Sequence, residues 1–430
     1  MIKFGLNTFL IVALSLPWAQ AADWPQWRGP TGQGISTATG LPSTWSESDN
    51  IKWKTELPGR GYSSPVIAGD QVWMTTAFET PADPDDAKER LKANTGGQPV
   101  TVLAKVELHA LCVHRSTGKV LHNVKLLEMK KPQWVHELNS YASPTPVYED
   151  GRLYCHFGAY GNACLDTKNT RILWTNQDLH VMHENGPGST PVLVQDFMIV
   201  HYDGSDEQFI VALKKSDGSV AWKVDRSGEM HSNPQLQKAY GTPLVVNDQV
   251  ISPAANWLYA YDPATGKELW KVEYGLLGFS NVARPVFGHD KIYAVTGFMK
   301  SKMLAVELGE KPGIKWSYIK GVPKMASPLL VGDELYFVTD KGGVVTCLDA
   351  HTGEELWKER VGGNFSASPT YADGKIFFHS QDGKTIVLAP GRTFKKLAEN
   401  QLDGRLMASA APVDGALFLR TDKALYRIEK

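Results

Sequence analysis

A block of residues holding four short apolar runs separated by turn dipeptides recurs along this chain, and its spacing limits the possible folds more than any other feature. The clearest copy, Tyr240 to Tyr274, reads YGTPLVVNDQVISPAANWLYAYDPATGKELWKVEY and predicts a four-stranded antiparallel meander. Aligned on the residue that opens the first run, the copies begin at Pro65, Pro146, Pro191, Pro243, Pro285, Pro328, Pro369 and Ala410. The intervals are 81, 45, 52, 42, 43, 41 and 41 residues. A period of roughly 40 to 45 residues built from strands points to a β-propeller.

Each copy places a tight turn four to five residues on, as at Gly69-Asp70, Asp150-Gly151, Asn247-Asp248 and Asp414-Gly415. These residues tolerate the positive φ of a two-residue hairpin, so the turn joins the first and second strands. A second turn, such as Thr265-Gly266 or Thr352-Gly353, precedes an aromatic slot. Trp174, Trp222, Trp270, Trp316 and Trp357 fill that slot, and His122 fills it in the first copy; the seventh copy, around Leu397, is degenerate. The last copy, Met407 to Lys430, has three strands, whereas Ile51 to Leu57 is an orphan fourth strand with Trp53 in the slot. Joining the two predicts an eight-bladed all-β propeller over residues 51–430, with strand 51–57 closing the ring against 407–430 and removing free sheet edges.

Hydrophobic residues make up 42% of the chain, enough for a packed core, and a formal net charge of −1 leaves no basic footprint for nucleic acid. Met1 to Ala21 reads as a signal peptide: Lys3, then FLIVALSLPW, then the Ala19-Gln20-Ala21 cleavage site. The mature chain is therefore expected in the periplasm or secreted, with a Trp-rich lead-in over residues 22–50 and no later run of spanning length. Cys112, Cys164 and Cys347 share one position in the third strand, where the clearest copy has Ala260, a small buried site. The hairpin CHFGAYGNAC, centred on Ala159-Tyr160, sets Cys155 opposite Cys164, either as a disulfide or as two buried thiols.

Within a blade, the loop into the first strand and the loop joining strands two and three open on one face, where a site is sought. The 81-residue spacing reflects an insertion there, Glu79 to Pro99, either a short helical lid over Asp85 to Lys92 or an irregular loop. The loops leading into successive blades carry His136, Glu137 and Asn139, then His183, Glu184 and Asn185, then His231 and Asn233, then Arg284. Further round stand Lys324, Asn364 and Arg405. Converging on the channel mouth, these side chains suit an anionic or carbonyl-rich ligand. The His and Glu residues also raise a metal reading, but no ligand spacing supports it, and no metal site is assigned. No G-x-S-x-G elbow, phosphate loop or dinucleotide fingerprint is present in context, and no catalytic residue is assigned.

The segments LYAYDPATGKELWKVEYG (258–275) and VVTCLDAHTGEELWKERVG (344–362) resemble the repeat of the quinoprotein-type, PQQ-binding-like propellers, and DWPQWRGP (23–30) is similar to the opening of exported members. The resemblance implies two functional branches. Quinoprotein alcohol or sugar dehydrogenases hold PQQ with Ca²⁺ against an adjacent-cysteine disulfide, which this chain lacks. The BamB-like branch resembles the scaffold of the outer-membrane assembly machine, binds protein partners and performs no chemistry; here the lipid-anchor cysteine of that branch is missing. The favoured reading is a non-catalytic exported scaffold or ligand-binding module without a cofactor, its partners being envelope proteins or a small polar ligand on the face of the inter-blade loops. The alternatives are a PQQ-dependent dehydrogenase and a small-ligand enzyme using the His/Glu funnel; superfolds host unrelated functions, so fold alone does not choose.

Overall fold

The computed structural model describes residues 23–94, 97–275 and 278–430, so the leader expected over residues 1–21 lies outside the described residues. Eight four-stranded antiparallel sheets form the blades of a ring. Blade 1 consists of Val66–Ala68, Gln71–Pro81, Leu103–His114 and Val120–Lys130. Blades 2 to 7 follow over residues 147–176, 192–225, 244–273, 286–318, 329–360 and 370–401. Blade 8 combines Ala411–Val413, Ala416–Arg420 and Ala424–Ile428 with Ile51–Glu56, which pairs antiparallel with the last of them. The ends of the chain therefore close the ring by sharing one sheet.

The turn residues behave as their chemistry demands. Asp150, Asn247, Asp373 and Asp414 adopt φ between +47° and +53° in the first turn, and Gly118, Gly218, Gly266 and Gly353 adopt +72° to +76° in the second. The second-turn glycine serves a packing purpose as well. A Cβ on Gly218 would lie 2.4 Å from Trp174, and on Gly266, 2.7 Å from Trp222, because the tryptophan of one blade lies flat on the turn of the next. Its indole N–H donates to a carbonyl of that turn: Trp53 to Arg115, Trp174 to Lys215, Trp222 to Pro263 and Trp357 to Gly391, all at 3.0 Å, and Trp316 to Ala350 at 3.1 Å. Opposite the slot on the third strand sits a small residue, Cys112, Cys164, Ala212, Ala260, Ala305 or Cys347, and a bulge follows it in each ladder. Three of the cysteines are thus buried spacers beside this slot, and burial pushes their thiols up to about 12.

The expected Cys155–Cys164 pairing is not what the hairpin forms. A 3₁₀ turn over Gly158–Tyr160 makes the loop odd-numbered, so Cys155 pairs with Ala163 and Cys164 with Tyr154. A slip of one residue sends neighbouring side chains to opposite faces of a sheet. Cys155 packs into the core between blades 1 and 2 and Cys164 into the core between blades 2 and 3, and both thiols are free.

Around the axis, the residue before the aligned proline forms a belt. The backbone N–H of Ser64 donates to the Thr145 hydroxyl, Thr145 to Thr190, Thr190 to Thr242, Arg284 to Ser327, Ser327 to Ser368, Ser368 to Ser409 and Ser409 to Ser64. These seven bonds span 2.9–3.1 Å. The belt is interrupted only in blade 5, where Arg284 replaces the hydroxyl residue. Residues 23–41 cross the ring on the face of the first turns: Asp23 accepts from the Gly69 N–H, Trp24 bridges Ile67, Ile35 bridges Tyr371, and the Leu41 N–H donates to Asp373. This lead-in plugs one end of the axis.

Candidate functional site

The inter-blade loops of blades 2 and 3 come together under the insertion of blade 1. That insertion contains an eight-residue helix, Pro84–Leu91, started by Asp83, whose carboxylate accepts from the Asp85 N–H. Arg90 ties it down by donating to the Leu103 carbonyl at 2.7 Å. Beyond the helix, Val100–Thr101 pairs with Val135–His136, so the insertion roofs the loop that carries the first predicted residues.

Within this cluster the predicted side chains are mostly hydrogen-bonded to backbone and side-chain groups of the surrounding loops. Asn139 Nδ2 donates to the carbonyls of Asn185 at 2.9 Å and Pro187 at 3.1 Å; Asn185 Nδ2 donates to the Tyr240 hydroxyl at 3.2 Å. Glu184 Oε1 accepts from Ser205 at 3.1 Å and from Gln235 at 3.0 Å. His136 Nδ1 accepts from the Leu138 N–H and His231 Nδ1 from the Asn233 N–H, while Asn233 caps a short 3₁₀ turn. The Glu137 side chain is exposed, and its carbonyl accepts from Arg60. Arg284 does not join them. It is buried, donates to the Trp27 carbonyl at 3.2 Å, and leaves no room for a side chain at Gly32, so it belongs to the plug.

The sequence reading overlooked a second set of residues. Ten residues beyond the aligned proline, within the second strand, stand Thr75, His156, His201, His379 and Arg420, all buried. Counting along the repeat from the proline would have found them. His156, His183 and His201 line a cavity of about 30 Å³ with Tyr202, Asp203 and Tyr240, room for about one water. Burial drives His156 down to about 4 and His183 to about 3, and holds His201 well below its usual range with help from the Arg226 charge. Arg226 holds Asp203 through two hydrogen bonds of 2.9 and 2.8 Å, while burial still raises the carboxyl. Through their Nδ1 atoms these imidazoles hold the structure around them: His183 accepts from the Gly186 N–H, and His156 and His201 are bonded to Asn162 and Ser252. The His183 and His201 Nε2 atoms are buried without a protein partner, and both residues line this cavity.

On the opposite arc of the same face, blades 6 to 8 enclose a recess of about 500 Å³ lined by Gly342, Gly363, Asn364, Gln381, Asp382 and Arg405. Neither space fits a planar quinone: the cavity is water-sized, and no aromatic wall lines the recess. Among the described residues, the histidines and glutamates of the inter-blade loops bring no three ligand atoms within 4.8 Å of one another. The face does leave large apolar side chains in solvent. Leu138 and Met182 project from the loops before blades 2 and 3, Phe298 and Met299 from the loop between strands two and three of blade 5, and Ile319 follows the last strand of that blade. Met299 is 57% and Ile319 67% exposed, and Met299 holds φ +67°, a conformation costly for a non-glycine residue.

Fold and site define an eight-bladed propeller plugged at one end of its axis and open, self-bonded and partly apolar at the other. Its sequence matches the family described as Outer membrane protein assembly factor BamB over residues 182–310 and 314–393, and the chain is built of the PQQ-like, BamB-like repeat. The protein named Outer membrane protein assembly factor BamB from Moranella endobia is 26% identical over 222 residues, covering 50% of this chain and 54% of that relative, so the chain spans about half the length of the curated protein it matches. Among solved structures, a europium-containing methanol dehydrogenase superposes with a TM-score of 0.65 at 11% identity, covering 94% of this chain and 90% of the other. BamB from Moraxella catarrhalis gives 0.53 at 12%, covering 83% and 99%. At such identities the likeness is one of fold. Among the described residues no helix is long and apolar enough to cross a membrane.

Proposed function

We propose that this chain is an exported, non-catalytic β-propeller that acts as a protein-interaction scaffold, docking an envelope protein on the face of the inter-blade loops. The observation that carries this reading is the exposure of Leu138, Met182, Phe298, Met299 and Ile319 on that one face, while the neighbouring polar side chains are occupied with one another. Apolar groups rimmed by satisfied polar ones characterise protein interfaces rather than catalytic clefts. The name of the matched relatives, an assembly factor, supports the same class of role. The quinoprotein alternative is supported by fold likeness alone.

The test is capture of partners from envelope extracts of the natural host by the immobilised mature chain, beside a variant carrying Phe298→Ser, Met299→Ser and Ile319→Ser. A discrete protein retained by the wild type and lost with the variant is expected. Equal retention by both, or stoichiometric PQQ binding with dye-linked alcohol oxidation, would sink the scaffold reading.

A further inference from the structure

On the face opposite the inter-blade loops, two histidines depart from the repeat at adjoining positions. The first turn of the other blades places Gly, Asp, Asn or Gln in the left-handed region, as at Gly69, Asp150 and Asn247; blade 5 places His289 there, at φ +52°. In the second turn, blade 6 has His351 where other blades have Ser116, Lys168, Ser216 or Ala264. The two rings lie with centroids 4.2 Å apart and turn toward one carboxylate, Asp333 in the first turn of blade 6. Asp333 Oδ1 is 3.2 Å from His351 Nε2 and 3.5 Å from His289 Nε2, and the three ligand atoms all lie within 4.8 Å of one another.

The geometry points to a surface site for a divalent transition metal, of the Zn²⁺ class, held by His289, Asp333 and His351 across the seam between blades 5 and 6. Tetrahedral zinc with bonds of about 2.0–2.2 Å sets neighbouring ligand atoms roughly 3.3 Å apart, the spacing Asp333 already keeps to both imidazoles. Two imidazole nitrogens and one carboxylate oxygen suit Zn²⁺, Ni²⁺ or Cu²⁺ and discriminate against Ca²⁺ and Mg²⁺, which take all-oxygen shells. Binding displaces the His289 Nε2 proton that otherwise faces the Gly332 carbonyl at 3.0 Å, and three protein ligands leave the fourth position to water. Lys291 does not oppose the charge, since its ammonium lies at the His289 carbonyl and beside Glu307.

Isothermal titration of the untagged mature chain with Zn²⁺, and with Ca²⁺ as control, tests the site. One saturable equivalent of Zn²⁺ and no Ca²⁺ heat are expected, with affinity falling at least about tenfold in His351→Ala and in Asp333→Asn, two exposed substitutions that leave the turn conformations intact. Zinc binding identical in wild type and both variants would place the metal elsewhere. Absence of binding by the wild type at millimolar zinc would likewise overturn the proposal.

Discussion

At the plugged end of the axis, Arg28 donates to the carbonyls of Gln33 and Pro328, both at 2.7 Å, Arg284 donates to Trp27, and Trp24 is fully buried; at the other end, Met299 and Ile319 stand in water. The same ring of repeats underlies both ends, but only one is covered by the lead-in. The plugged end meets buried guanidinium groups with backbone acceptors, and burial lowers Arg28 to about 9 and Arg284 to about 10 without a carboxylate to offset it. Such an arrangement holds the ring closed and offers little to a ligand. The open end leaves apolar surface unpaired and its buried His156, His183, His201 and His379 neutral, which suits recognition more than chemistry.

The comparison breaks most severely if the closing segment is removed. Deleting residues 23–57 takes away the plug and the fourth strand of blade 8, and the remaining chain is expected to aggregate or melt far below the full-length protein, as thermal unfolding would show. Within the ring, Trp53→Ala should cost about 3 kcal/mol or more by denaturant titration. Trp270→Ala should cost about 1 kcal/mol less, because Trp270 donates to Gln249 of its own blade and lacks the inter-blade bond. Equal costs would mean that docking on the next blade contributes nothing.

A smaller effect separates the open end by pH. His156, His183 and His379 are buried neutral, with folded pKa values of about 4, 3 and 3, below the roughly 6.5 of an unfolded histidine. The unfolded chain therefore binds more protons in this window. The stability these groups contribute is complete above about pH 6.5 and is lost as pH falls toward 4 and below, by at most about 1.4 kcal/mol per pH unit for each histidine. Thermal melts across pH 4 to 7 should show that decline, and His183→Gln should flatten it. An unchanged slope would show that His183 is not held neutral by the fold.

Much of the ring was readable because its physics is local. Proline positions, Gly/Asx turns and an aromatic slot each impose a backbone or packing requirement within one repeat, and the orphan Trp53 strand betrayed the closure. What the spacing did not reveal depends on neighbours. Trp270 sits in the same slot as Trp222, yet the turn after Leu308 is longer, and Gly309 and Gly313 have open space rather than an indole above them. The Cys155–Cys164 expectation failed on a single residue of loop length. Arg284 lies in an inter-blade loop by sequence but is claimed by the lead-in that crosses beneath it, and His156 and His201 lie in strands rather than in the polar loops.

The scaffold account is tested most directly by mapping where the protein is touched in the living cell. A photo-crosslinking amino acid at Leu138, Met182 or Phe298 on the open face, compared with Lys119, Asn169 or Thr265 in second turns on the plugged face, reads this out by gel shift and mass spectrometry. The account predicts a discrete cross-linked protein from the open-face positions and none from the others. Cross-links arising equally from both faces, or only from the plugged one, would contradict it.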